Sequence, residues 1–306
     1  MTSIRQHVLK RKRRAPYTMG GFWPGLIGEM MRSISYAPEA PMRPEWAPTS
    51  IDIERPSAAR MYDYILGGSH NFAADRTLAD QIIVAMPDMP LLAQANRAFL
   101  RRSVQLLADQ GVRQFLDIGS GIPTRGNVHD IAEQAAPDSR TVYVDYDPVA
   151  VAHSRALLAG NERAGIIEAD LRQPAMILGH PMVTDMLDLT RPVGLLLVAV
   201  LHFIGDQDNP HAIVKRLTES LPSGSCVAIT HLTADERAED VGEAQQLTAQ
   251  AAGPSGTPRG YREVLRFFDG FELLEPGLTW AAEWRTEPAS ITALRSILYA
   301  GVGRKP

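Results

Sequence analysis

An apolar run, Gln114-Phe-Leu-Asp-Ile, breaks directly into Gly119-Ser-Gly121 and then into helix-forming sequence, and this unit constrains the chain more than any other. Glycines let the backbone turn tightly and let a ligand approach the main chain. In open α/β sheets the binding crevice lies outside the carboxyl ends of the strands. A nucleotide-like ligand is therefore expected over Gly119, Ser120 and Gly121. The rhythm continues downstream. Strands are expected at 141–145, 165–169, 194–200 and 225–231, with helices at 148–160 and 211–221. The run at 194–200 is apolar throughout, as a strand covered on both faces must be. This alternation predicts a doubly wound, Rossmann-like α/β fold with a mostly parallel sheet. After a helix at 261–268 the pattern changes: strands at 271–278 and 297–302 have no helix between them, which suggests an antiparallel addition at the sheet edge.

Three stretches follow from composition: a basic, Pro-rich extension at 1–48, expected to be poorly ordered, a helical segment at 49–112, and the core at 113–306. The helical segment predicts helices at 57–66 (Ser57 as N-cap), 77–86 (ended by Pro87 and Pro90) and 91–110 (stopped by Gly111). Gly67-Gly68 followed by Ser69-His-Asn-Phe reads as a lid that places Tyr62, Tyr64, His70 and Asn71 near a bound ligand. The segment 234–259, acidic and Gln-rich and ending in a Gly/Pro loop, reads as a mobile insertion that shapes the pocket.

The formal net charge of -4 gives no general attraction to nucleic acid or to anionic membrane, although the basic run Lys10–Arg14 leaves local nucleic-acid contact open. No apolar run is long enough to cross a bilayer, and Gly20, Gly21, Pro24, Gly25 and Glu29 interrupt the stretch that would have to serve as an export signal. The single cysteine, Cys226, excludes an intrachain disulfide and a Cys-rich metal site. No His pair has helical metal-ligand spacing. A cytoplasmic protein without a metal is expected.

Three acids mark the site. Asp117 lies two residues before Gly119, where a carboxylate suits a cationic ligand better than a pyrophosphate. Asp145, at the end of the second strand, can accept from both hydroxyls of a ribose; Tyr146 follows it, and Asp147 reads as the cap of the next helix. Asp170 follows the third strand, with Leu171 placed to lie beside an adenine ring. Each acid alone has a structural reading; three at successive strand ends form a constellation.

Asp117-Ile-Gly-Ser-Gly121, Asp145 and Asp170 together resemble class I S-adenosylmethionine (SAM)-dependent methyltransferases. The resemblance implies a seven-stranded sheet of order 3-2-1-4-5-7-6 with an antiparallel last strand. The run from Arg55 to Arg76, the segment Leu116–Thr124, Asn127-Val-His129 and Ala199–Ile204 also resemble a bacterial family of S-adenosyl methyltransferases, formerly a domain of unknown function. The cofactor implied is SAM. The residues implied to hold it are Asp117, Gly119, Ser120, Gly121, Asp145, Tyr146, Asp170, Leu171, Tyr62 and Asn71. The expected acceptor is a small molecule, with nucleic acid and protein side chains left open, and nothing fixes the oligomeric state.

Methyl transfer from a sulfonium needs chiefly positioning and exclusion of water. His202, after the fourth strand, is the candidate base, with Tyr64 and His70 as further catalytic candidates; His129, on the helix after the glycine turn, reads as structural. Two rivals stand beside this reading. A non-catalytic SAM-binding regulator remains open because no indispensable base is evident. An NAD(P)-dependent oxidoreductase shares the glycine turn, but Thr124 stands where its fingerprint has glycine.

Overall fold

Strict alternation of side-chain direction sorts the buried strand residues onto two faces. In β1 (Gln114–Ile118), Phe115 faces one apolar layer while Leu116 and Ile118 face the other. In β2 (Arg140–Asp145), Tyr143 lies on the first face and Val142 and Val144 on the second. The same division continues in β4 (Gly194–Val198) and β5 (Cys226–Leu232). Asp117 shares the direction of Phe115, and Asp145 that of Tyr143, so both carboxylates belong to the first face.

The computed structural model describes residues 49, 51–123, 126–252, 255–286 and 297–306. The expected 1–48 extension, and Thr124 in the glycine turn, lie outside the described residues. The sheet has the order β3-β2-β1-β4-β5-β8-β6, where β3 is Ala164–Glu168, β6 Glu272–Leu273 and β8 Leu298–Arg304. β1 to β5 pair in parallel and β8 is antiparallel to β5. The expected order and antiparallel last strand are present. The expected count of seven becomes eight because the edge strand is broken: β6 and β7 (Thr279–Trp280) both pair with β8. Six steps from Leu273 to Thr279 advance only three along β8, from Gly303 to Ala300, and the extra length loops out through Pro276 and Gly277.

Three helices precede the sheet: α1 (Ala58–Ile65), α2 (Ala73–Ala85) and α3 (Met89–Asp109). Pro90 was expected to separate two helices. It lies instead in the first turn of α3, where a missing N–H costs nothing. Ser57 occupies the N-cap position of α1, but its side chain does not cap it; the hydroxyl donates to Asp147. The α3 stripe Leu92, Phe99, Leu100, Val104 and Leu107 packs on the first face of the sheet. The links after the sheet strands are α4 (Val128–Ala135), α5 (Pro148–Leu157), the short α6 (Pro174–Leu178) and α7 (Pro181–Met186), and α8 (Pro210–Glu219). Asp147 caps α5 as expected, accepting from Val149 and Ala150.

The segment read as a mobile insertion contains a helix, α9 (Ala238–Ala251), followed by α10 (Tyr261–Leu265). Glu239 and Asp240 favour the positive end of the α9 dipole. Its Ala244 and Leu247 pack against Met61, Leu78, Ala79 and Ile82 of α1 and α2. That apolar contact, invisible in local composition, supplies the order. No helix among the described residues is long and apolar enough to cross a membrane.

Candidate active site

The glycine turn is fixed by its backbone. Gly119 and Gly121 have φ +75 and +67, in the left-handed region that side chains resist. The N–H groups of Gly119 and Ser120 donate to Val144 O at 2.8 and 3.2 Å, and Gly121 N donates to Asp145 Oδ2 at 2.7 Å. A Cβ on Gly119 would lie 2.3 Å from Cγ2 of Val200, whereas one on Gly121 would meet nothing within 4 Å. Gly119 therefore closes the turn against the loop after β4, and Gly121 leaves its main chain open to a ligand. Gly119→Ala is expected to destabilise by about 1–3 kcal/mol, seen as a lower urea midpoint, and to weaken ligand binding by pushing Val200 aside.

Asp117 is 5% exposed. Burial, reinforced by the charge of Asp145 and opposed by Arg97, pushes its carboxyl up to about 7. A desolvated acid held this high favours a cation placed beside it. Asp117 lines a cavity with Arg97, Ser120, Gly121, Ile122 and His129. The Ser120 hydroxyl is buried there without a hydrogen-bond partner. Asp145 is also buried and is pushed up to about 6 by desolvation. Each of its oxygens already accepts one N–H, from Gly121 at 2.7 Å and from Asp147 at 2.8 Å. The Tyr146 N–H also bears on this carboxylate, and the acceptor capacity left over suits a ribose hydroxyl.

The other expected contacts have the following surroundings. Tyr146 is 68% exposed. Asp170 is held by Arg172, Nε to Oδ2 at 2.9 Å, and this pairing keeps its carboxyl below the usual range. An exocyclic amine would have to share Asp170 with that guanidinium. Leu171 is buried in the second-face layer with Ile167 and Ile177. His129 is structural in its bonding, with Nδ1 2.7 Å from the Tyr143 hydroxyl.

The N-terminal candidates separate. Tyr62 is joined to the strand ends: its hydroxyl donates to Ala93 O at 3.1 Å and accepts from Asn96 Nδ2 at 3.0 Å. Thr230 of β5 then donates to Asn96 Oδ1 at 2.7 Å and accepts from Ala199 N at 2.8 Å. This chain of bonds supports Ala199, whose φ of 56 is rare for a residue with a side chain. Asn96→Leu would leave the Tyr62 and Thr230 hydroxyls without that partner. A loss of about 2–4 kcal/mol is expected by urea unfolding. Tyr64 is not brought to the strand ends; its hydroxyl donates to Asp80 at 2.9 Å, and its ring joins the α1–α2–α9 layer. Asn71 is turned inward, donating to Asp63 Oδ2 at 2.8 Å and accepting from Arg76 at 3.1 Å. The ring of His70 lies 3.8 Å from that of His153 on α5. Asp63, absent from the sequence-based set, organises this loop: it also accepts His70 N at 2.9 Å, and a Cβ on Gly68 would collide with it.

His202 sits in a short 3-10 turn after β4, 8% exposed, and its Nδ1 is buried without a partner. Burial, His231 and Arg259 hold its pKa well below the ordinary histidine value. The buried Arg259 donates to Ile204 O at 2.9 Å and lies 3.0 Å from His231 Nε2. It pins the segment 255–259 across the ends of β4 and β5, where Thr257 N donates to His202 O at 2.6 Å. The imidazole is expected to stay neutral at pH 6, as nitrogen chemical shifts of the labelled ring would register.

No group of histidine, cysteine and carboxylates among the described residues is arranged to hold a metal. The ends of β1 and β2 instead offer a buried acid for a cation, a second buried acid with acceptor capacity for ribose hydroxyls, and an open glycine main chain. These features fit the amino-acid and ribose ends of SAM. A family profile described as S-adenosyl methyltransferase matches residues 44–306. A DUF574 family protein from Streptomyces avermitilis is 42% identical, with 83% of this chain and 99% of that one covered at a TM-score of 0.80. A protein from Thermobifida fusca is 38% identical, with 86% of this chain and 99% of that one covered and a TM-score of 0.80. No protein of curated function matches.

Proposed function

The chain belongs to the S-adenosyl methyltransferase family, whose cofactor is SAM, and from that premise we propose that it is a cytoplasmic enzyme transferring a methyl group to a small-molecule acceptor. The observation that carries this reading is the burial of Asp117 and Asp145 on one face of the sheet, beside the open Gly121 main chain.

SAM, when bound, supplies an activated methyl on a sulfonium. Asp117 would hold the ammonium and Asp145 the ribose diol, so the cofactor is oriented before the acceptor arrives. His202 would accept a hydrogen bond from the acceptor's O–H or N–H through its buried Nδ1. As a neutral imidazole held well below its ordinary pKa, it is a weak base, suited to orienting a nucleophile whose proton is already labile. The Tyr62–Asn96–Thr230 chain holds the turn at Ala199 and Val200 that lies against Gly119. Segment 255–259 lies over the ends of β4 and β5, and this cover favours an acceptor small enough to be enclosed. The net charge of -4 gives no field for a polyanionic one.

The test is methyl-labelled SAM incubated with a metabolite extract below a low-mass cut-off and, separately, with the retained macromolecules. Label should move into the low-mass fraction. Label in protein or nucleic acid would contradict the acceptor class. Binding with no transfer to either fraction would point to a regulator.

A further inference from the structure

The cavity holds two opposite charges that do not pair with each other. Asp117 contributes a carboxylate that is nine-tenths buried and accepts no hydrogen bond from the described residues. Arg97 reaches the same cavity from α3, twenty residues upstream of Asp117. Its Nη2 donates to Gly126 O at 3.0 Å, and among the described residues it makes no ion pair. A guanidinium has five N–H donors, so most of its capacity is unspent. The same cavity is lined by Ser120, whose hydroxyl is buried and without a partner.

An unpaired cation and anion lining one cavity with an unsatisfied hydroxyl are complementary to a zwitterion carrying ammonium and carboxylate on one carbon. We propose that Arg97, with Ser120, binds the carboxylate of the cofactor's amino-acid end while Asp117 takes its ammonium, so that the site reads the whole α-amino acid. This rests on the cofactor reading above and adds a residue and a selectivity to it. Arg97 would also tie two elements together: it bonds the far end of the glycine turn and, through the ligand, its near end. The N-terminal helical segment would thus take part in cofactor binding itself.

The test is calorimetric binding of SAM and of decarboxylated SAM, which keeps the sulfonium and the amine but lacks the carboxylate. Wild-type protein should prefer SAM by about 10–100-fold, the scale of a charge-assisted pair. Arg97→Met should lose that preference, the affinities for SAM and for the decarboxylated ligand converging whatever shift the two share through Asp117. Arg97→Lys should restore part of the difference, and melting curves would show that each variant is folded. Equal weakening of both ligands in Arg97→Met would assign Arg97 to loop support and overturn the proposal. So would equal affinity of the wild type for the two ligands, a result that does not depend on any variant. If wild type bound neither SAM nor S-adenosylhomocysteine, the cofactor reading itself would fail, an outcome distinct from both.

Discussion

Asp117→Asn is expected to weaken SAM binding at pH 8 by at least ~30-fold while raising the melting temperature of the ligand-free protein. The two effects share one cause. Burial raises the Asp117 carboxyl from 3.8 to about 7, so the folded protein keeps a proton that the unfolded chain has released. Between about pH 4 and 7 this group therefore makes the ligand-free fold less stable as pH rises. A neutral amide of the same shape removes that penalty. The cationic ligand needs the ionised acid, so wild-type affinity should rise with pH through about 7 and lose about tenfold for each unit below it. Asp145, at about 6, steepens the acid side. The loss in Asp117→Asn follows from truncating one partner of a buried charge pair, about 2–5 kcal/mol. Calorimetry at pH 6, 7 and 8 would show a slope in the wild type that is flattened in the variant. A slope of opposite sign, or equal affinity in both proteins, would refute this assignment of Asp117.

The second large effect lies in the N-terminal segment. Arg60 and Asp75 are 4% and 0% exposed and form an ion pair at 2.9 Å. Asp75 also accepts the N–H groups of Ser57 at 2.9 Å and Phe72 at 2.8 Å, so one carboxylate ties the start of α1 to the start of α2. Removing one partner of a buried pair costs about 3–5 kcal/mol because the other charge stays buried. Arg60→Ala should reach the lower part of that range, since two N–H donors still serve Asp75. Arg60→Met with Asp75→Asn should recover part of the loss, because no unpaired charge remains. Urea unfolding of the three proteins measures this. Arg60→Ala should also weaken SAM binding: Ser57 bonds Asp147, whose N–H is held by Asp145. Undiminished affinity would show that α1 does not brace the ribose site.

The strand-end acids were legible because the signal is local. An apolar strand, a glycine bend and an acid follow one another in the sequence, and the alternation of strands and helices gives the mostly parallel sheet, whose order came from the family resemblance. The bonds of Tyr64 and Asn71 were not legible, because a polar side chain in a loop has no direction until its neighbours are placed; here Tyr64 bonds Asp80 and Asn71 bonds Asp63. The break between β6 and β7 and the short α6 and α7 fall below the length at which periodicity carries information. Arg97 and Arg259 act through neighbours distant in the chain, so neither had a local mark. Asn96 had one: it interrupts the otherwise apolar stripe of Leu92, Phe99 and Leu100 on α3, and a polar residue on a buried stripe calls for a partner.

A crystal structure with S-adenosylhomocysteine bound tests the central claim most directly. The account predicts the ligand's ammonium within hydrogen-bond distance of Asp117 and its ribose hydroxyls on the two oxygens of Asp145, with the chain passing over Gly121. A ligand lodged away from the ends of β1 and β2, with both carboxylates touching none of its atoms, would contradict it.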